Sequence, residues 1–168
     1  MTSPPAYIAL GSNLDDPLAQ LRQAYRNLAW LGKLVGCSSL YRTAPVGGPA
    51  GQDDYLNAVV AAEPFTDDPR TLLAELHALE TAQGRTRSVR WGPRTLDLDL
   101  LSWGRRTLNT PELTLPHPRL LERAFVLAPL CEVAPDWRHP RSGESACALL
   151  QLLPPGGLER TALRWCEP

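Results

Sequence analysis

Lysine is almost missing from this chain: Lys33 is the one lysine among seventeen basic residues, and the other sixteen are arginine. Long apolar runs are missing too. None approaches the ~20 residues that span a bilayer, so no membrane segment is expected. The N-terminal stretch MTSPPAYIALGSN has neither a basic leader region nor a long apolar core, so a cytoplasmic protein is expected. The net charge of -1 lacks the basic surplus of a typical nucleic-acid-binding domain. No GxxxxGK followed by Ser or Thr occurs, so any use of ATP proceeds without a P-loop. No CxxC occurs, and His77, His117 and His139 do not sit at zinc-ligand spacing. The four cysteines (Cys37, Cys131, Cys147 and Cys166) are scattered, which does not resemble a disulfide scaffold. Reduced thiols are the expectation.

What is present fits one globular domain over residues 1–168, with 43% apolar and 21% charged residues. Tyr7 to Leu10 reads as a strand ending in a turn at Gly11-Ser12-Asn13. Asp16 and Pro17 open a helix whose apolar face is Leu18, Leu21, Tyr25, Leu28 and Leu31. Leu34 to Arg42 reads as a second strand, and the Pro- and Gly-rich segment Thr43 to Asp54 as a loop. Tyr55 to Ala61 is a third strand. Asp67 or Asp68 caps a second helix lined by Leu72, Leu73, Leu76 and Leu79 and stopped by Gly84. The order strand, helix, strand, strand, helix, strand is the split βαβ arrangement of a ferredoxin-like α+β fold with an antiparallel sheet. Beyond it come a short strand at Arg106 to Asn109 and an extended segment at Thr114 to Arg119. C-terminal helical additions follow at Leu120 to Leu130 and Glu144 to Leu153, and Trp165 is expected to dock on the body.

The stretch RTRSVRWGPRTLDLDLL, Arg85 to Leu101, carries the most chemistry. In a strand, residues two apart share a face. Asp97 and Asp99 therefore share one face, with Leu96, Leu98 and Leu100 on the other. Asp is depleted from strands, and two adjacent carboxylates repel unless a cation sits between them. The pair suits Mg²⁺, which takes one or two carboxylates and completes its shell with water and phosphate oxygens. Two solvated aspartates on an exposed strand face are the bland alternative. Arg85, Arg87, Arg90 and Arg94, hinged by Gly84 and Gly92, suit a polyanion; a solvated basic loop is the alternative there. Tyr55 and Asn57 share a strand face and could stack on and hydrogen-bond to a flat heterocycle, or simply fill a half-buried strand.

Six segments taken together resemble the 6-hydroxymethyl-7,8-dihydropterin pyrophosphokinase family: AYIALGSNL from Ala6, SLYRTAP from Ser39, DYLNA from Asp54, QGRTR from Gln83, RWGPRTLDLDL from Arg90 and LTLPH from Leu113. They run in the family's order and cover about residues 6 to 140. The resemblance implies a transferase that moves pyrophosphate from ATP to the pterin's hydroxymethyl oxygen in folate biosynthesis, with AMP leaving. It implies that Asp97 and Asp99 hold two Mg²⁺ ions and that Arg85 and Arg94 contact the phosphates during transfer. Arg87 and Trp91 would help the loop close, and Tyr55 and Phe125 would sandwich the pterin. Asn57 would read the pterin edge beside Thr43 and Val46. Glu80, Leu100, Thr114, His117 and Arg123 would lie around ATP, together with the arginine loop. The expected partners are small molecules, with no nucleic acid and no membrane, and the expected state is a monomer.

Three positions depart from the family pattern. Pro118 stands where an aromatic is often found, Glu112 where a basic residue often precedes the LT pair, and His77 where Gln or another polar group is expected. Two other readings stay in view. Ferredoxin-like sheets with exposed aromatics also bind RNA, and a metal-dependent nucleotidyltransferase would release pyrophosphate instead of AMP.

Overall fold

The computed structural model describes residues 4–44, 51, 53–84 and 95–166. Strand β1 (Ala6–Ser12) leads into helix α1 (Pro17–Leu28), then β2 (Gly32–Cys37), β3 (Tyr41–Thr43), β4 (Tyr55–Pro64), helix α2 (Pro69–Ala82) and β5 (Asp97–Trp103). A two-stranded ribbon, β6 (Leu108–Asn109) with β7 (Thr114–Leu115), follows. After it come a 3₁₀ turn at Leu120–Glu122, helices α3 (Ala124–Val133) and α4 (Ala146–Gln151), and strand β8 (Leu158–Arg160).

The main sheet runs β5-β1-β4-β3-β8, with β2 also pairing β4, and every pairing is antiparallel. Setting β8 aside, and taking β2 and β3 as two pieces of one strand, this is the ferredoxin-like order expected from the element sequence. The break between those pieces is at Ser38. Its Oγ accepts the Val59 N–H at 2.9 Å, and its own N–H donates to the Val59 carbonyl. A side chain thus does the work of a backbone acceptor, and β4 stays paired while its neighbour bends. The helix starts follow their caps: Asp16 accepts from the Ala19 N–H, and Asp68 from the Arg70 N–H. Asp67, the other candidate cap, is instead paired with Arg106.

Helices α1 and α2 cover one face of the sheet. Leu21, Ala24 and Leu28 of α1 and Leu72 and Leu76 of α2 pack on Ile8, Leu10, Ala58, Val60, Leu98 and Leu100. On the other face, Val126, Leu127 and Leu130 of α3 and Leu149 of α4 pack on Val59 and Leu101. A bulge in the β1–β5 pairing, between Tyr7 and Ile8, turns both Leu101 and Ser102 toward this second core, where Trp137 Nε1–H donates to Ser102 Oγ at 3.1 Å.

The cysteine expectation is overturned. Cys37 on β2 is bonded to Cys166, and Cys131 on α3 to Cys147 on α4. The Cys37–Cys166 pair left no mark on local spacing because the tail returns from 129 residues away to lie against β2. The return is well anchored. Trp165 Nε1–H donates to the Ser38 carbonyl at 2.8 Å, and its ring meets Tyr25 edge-on. Arg22 donates to the Arg164 carbonyl, and β8 pairs with β3. Among the described residues, no helix is long and apolar enough to cross a membrane.

Candidate functional site

On the α3 side of the sheet, α3 and α4 leave one end uncovered, and the strand register decides what stands there. Asp97 pairs with Gly11, Gly11 with Asn57, and Asn57 with Tyr41; one step along the same face, Asp99 pairs with Ala9 and Ala9 with Val59. Tyr55 pairs with Thr43. Carboxylates on the edge strand and polar and aromatic side chains on β3 and β4 are thus separated by two residues with almost no side chain. The result is a cavity of about 320 Å³ lined by Ala9, Gly11, Thr43, Tyr55, Asn57, Asp97 and Asp99 from the sheet and by Arg119, Glu122, Arg123, Phe125 and Val126 from the α3 side. The glycine keeps the approach open: a Cβ on Gly11 would lie 3.1 Å from Asn57 Oδ1, so the amide would have to give by a few tenths of an ångström.

Asn57 is buried, and its Nδ2 donates to Thr43 Oγ1 at 2.8 Å. That bond fixes the amide with Oδ1 over Gly11, as an acceptor inside the cavity. Asp97 and Asp99 are half-buried while Leu98 and Leu100 point into the opposite core, as the alternation predicts. Among the described residues no group of three His, Cys, Asp or Glu side chains is placed to hold a metal. The donor set at this site is therefore a carboxylate pair, which fits a hard cation that completes its shell with water and ligand phosphates.

The α3 side supplies positive charge. Arg123 stands at the N-terminal cap of α3, where the helix dipole also favours anions, and its guanidinium lies 5.5 Å from the Phe125 ring centroid. Arg119 and Glu122, which the sequence reading did not single out, line the same cavity. His117 is held beside β5 by its N–H, which donates to the Leu101 carbonyl at 2.8 Å. Its Nδ1 accepts the Arg119 N–H, so the neutral ring carries its proton on Nε2. Burial, with help from Arg123 and against the pull of Asp97, lowers its pKa to about 4.

The remaining expected residues divide. Glu80 is buried on α2, and its Oε2 accepts the Leu98 N–H at 2.8 Å, bracing the strand between the two aspartates. Leu100 lies in the core below the sheet, and Thr114 sits in the β6–β7 ribbon; of the described residues expected around ATP, Arg123 lines the cavity, whereas Glu80, Leu100, Thr114 and His117 do not. Val46, Arg85, Arg87, Arg90, Trp91 and Arg94 lie outside the described residues. A third polar group went unnoticed in the sequence. Glu132 on α3 accepts from Tyr41 OH at 2.7 Å and from both the N–H and the hydroxyl of Ser39 at 2.9 Å.

Residues 7–135 match the family described as 7,8-dihydro-6-hydroxymethylpterin-pyrophosphokinase. The chain belongs to that family. It is 45% identical over 156 residues to the Pseudomonas aeruginosa 2-amino-4-hydroxy-6-hydroxymethyldihydropteridine pyrophosphokinase, covering 92% of this chain and 94% of that one. It is 43% identical over 148 residues to the protein of the same name from Synechocystis, covering 87% of this chain and 74% of the relative. A crystal structure of Plasmodium falciparum HPPK-DHPS with pteroate superimposes with a TM-score of 0.72 at 13% identity, over 90% of this chain. This chain spans only 44% of that one, and at such low identity the likeness concerns the fold. With the pyrophosphokinase family established, the ferredoxin-like expectation and the family expectation both hold.

Proposed function

We propose that this chain transfers pyrophosphate from ATP to the hydroxymethyl group of 6-hydroxymethyl-7,8-dihydropterin, releasing AMP, as a step of folate biosynthesis. One observation carries the reading beyond family membership: a carboxylate pair and an aromatic-and-amide pocket open on the same cavity, separated by Gly11 and Ala9. That is the layout needed to bring a triphosphate and a flat heterocycle together.

Each group then has a task. Tyr55 and Phe125 stack on the two faces of the pterin. Asn57 Oδ1 accepts from the N–H groups of the pterin edge, and this is why Thr43 must hold the amide's other end. Asp97 and Asp99 would hold the two Mg²⁺ ions, which when bound neutralise triphosphate charge. Arg123 and His117 Nε2–H donate toward phosphate oxygens, and a neutral His117 does so at any working pH above about 4. Arg85 and Arg94 are assigned to the transferring phosphates through the family resemblance. In the transfer, a bond forms between the hydroxymethyl oxygen and the β-phosphorus, the bond from the β-phosphorus to the bridging oxygen breaks, and AMP leaves with that electron pair. The hydroxyl proton passes to water. The chain contributes position and charge, the main demands of phosphoryl chemistry. We further propose a cytoplasmic monomer in which residues 1–168 act as one domain, with small molecules as its partners and no nucleic acid.

The test is incubation with ATP, Mg²⁺ and the reduced pterin alcohol. AMP should form only when the pterin is present. Pyrophosphate release would point to a nucleotidyltransferase instead, and no turnover together with RNA binding would point to an RNA-binding sheet. That last outcome would also have to explain why α3 and α4 cover much of the face RNA needs.

A further inference from the structure

The cavity has two walls of different origin. Tyr55, Asn57 and Thr43 stand on β4 and β3, whereas Phe125 and Val126 come from the first turn of α3. The width of the ring pocket therefore depends on how α3 is fixed against the sheet. The apolar contacts of Val126, Leu127 and Leu130 hold the helix down, but burial is non-directional and does not set its position along the strands. Directional bonds do, and they converge on Glu132, seven residues beyond Phe125.

We infer that Glu132 is a positioning residue for the ring pocket: its carboxylate pins α3 to β3 and so sets the gap between Phe125 and Tyr55. The inference rests on the reading that this pocket takes the pterin. One carboxylate oxygen accepts from Tyr41 OH at 2.7 Å, the other from Ser39 N–H and Ser39 Oγ at 2.9 Å. Hydrogen bonds to a charged acceptor are the strong kind. Burial, and then the neighbouring Glu132, raises the pKa of Tyr41, so the phenol stays a donor. Tyr41 is also the register partner of Asn57, and Thr43, two residues further along β3, accepts from Asn57 Nδ2. The connection thus runs from α3 through β3 to the amide that faces the ligand. Arg160 braces it from β8, donating to Ser39 Oγ at 3.1 Å and pairing with Glu132 at 3.5 Å. Arg160 lies beyond residues 7–135, the part that matches the family.

The test compares Glu132→Gln and Tyr41→Phe with Trp137→Phe in the full chain. Trp137→Phe removes a hydrogen bond between the α3–α4 connection and β5, away from the cavity. Glu132→Gln should raise the KM for the pterin by up to about tenfold, the scale of one weakened aromatic stack, and leave the KM for ATP nearly unchanged. Tyr41→Phe should give the same split on a smaller scale, and it serves alone if Glu132→Gln fails to fold. Trp137→Phe should lower Tm without the split. Equal shifts in both KM values, or no shift, in the folded Glu132 or Tyr41 variant overturns the inference. Tyr55→Ala in the same assay separates the two levels. If it leaves pterin KM unchanged, the pterin reading fails and takes this inference with it. If it raises pterin KM while Glu132→Gln does not, the positioning role alone is refuted.

Discussion

Two halves of one sheet face have opposite characters, although the same strands build both. Along β5 the residues facing α3 and α4 are Asp97, Asp99 and then Leu101; along β4 they are Tyr55, Asn57 and then Val59. Where the helices cover the face, the side chains of β4 and β5 are mainly apolar and packed, with Ser102 bonded to Trp137. Where they stop, the face turns polar, and Ala9 and Gly11 leave room above it. Strand alternation alone does not distinguish the halves, because both keep the same period. The difference lies in coverage: the covered half holds the sheet to α3, and the open half uses the rigidity so gained.

That contrast can be broken in either half. Asp97→Ala should cost about 10²-fold or more in turnover, the effect of losing one preorganised charge-stabilising group, with little change in Tm. Near-normal Mg²⁺-dependent turnover would remove the carboxylate pair from the chemistry. Leu101→Ala, two registers along the face, should do the reverse. It should destabilise the fold by about 2–5 kcal/mol, the usual cost of emptying a core leucine site, read by denaturant unfolding, with kcat/KM of the folded fraction kept. A large loss of kcat/KM there would mean that the halves are not separable. Tyr55→Ala should weaken pterin binding by about 1–2 kcal/mol, the scale of one lost aromatic stack with its buried area, measured as pterin affinity with ATP affinity as the reference.

The smallest effect belongs to His117, at the border of the two halves. Its pKa falls from 6.5 unfolded to about 4 folded. Between those values the unfolded chain binds more protons, so stability rises with pH across that window. The His117 contribution is complete above 6.5 and is lost as the pH falls toward 4. NMR of the imidazole protons in the metal-free chain should give a midpoint near 4. A midpoint at 6.5 would place the ring in water and remove it from the site.

Much of this arrangement was legible in the chain. The Leu/Asp alternation from Leu96 to Leu100 placed two carboxylates on one face, and the leucine spacing of α1 and α2 placed the core on the other. Tyr55 and Asn57 were legible for the same reason, since a period of two is written locally. What escaped was written at long range. Ser38 breaks a strand through a bond to Val59, Glu132 reaches Ser39 and Tyr41 across more than ninety positions, and β8 returns to β3 from the far end of the chain. Such pairings have no period to detect. Phe125 was legible only through the family resemblance: one side packs with the α3 cluster, as any core aromatic does, while its other side lines the cavity.

The bond between Cys37 and Cys166 makes most of the polypeptide a covalent ring. A ring survives one cut as a single molecule. A protease that nicked the backbone once between residues 37 and 166, within the run of arginines for example, would leave Tyr55 and Asn57 tethered to Asp97 and Asp99. The clipped protein would stay one species, heavier only by the water added at the cut, until a reductant separated its pieces.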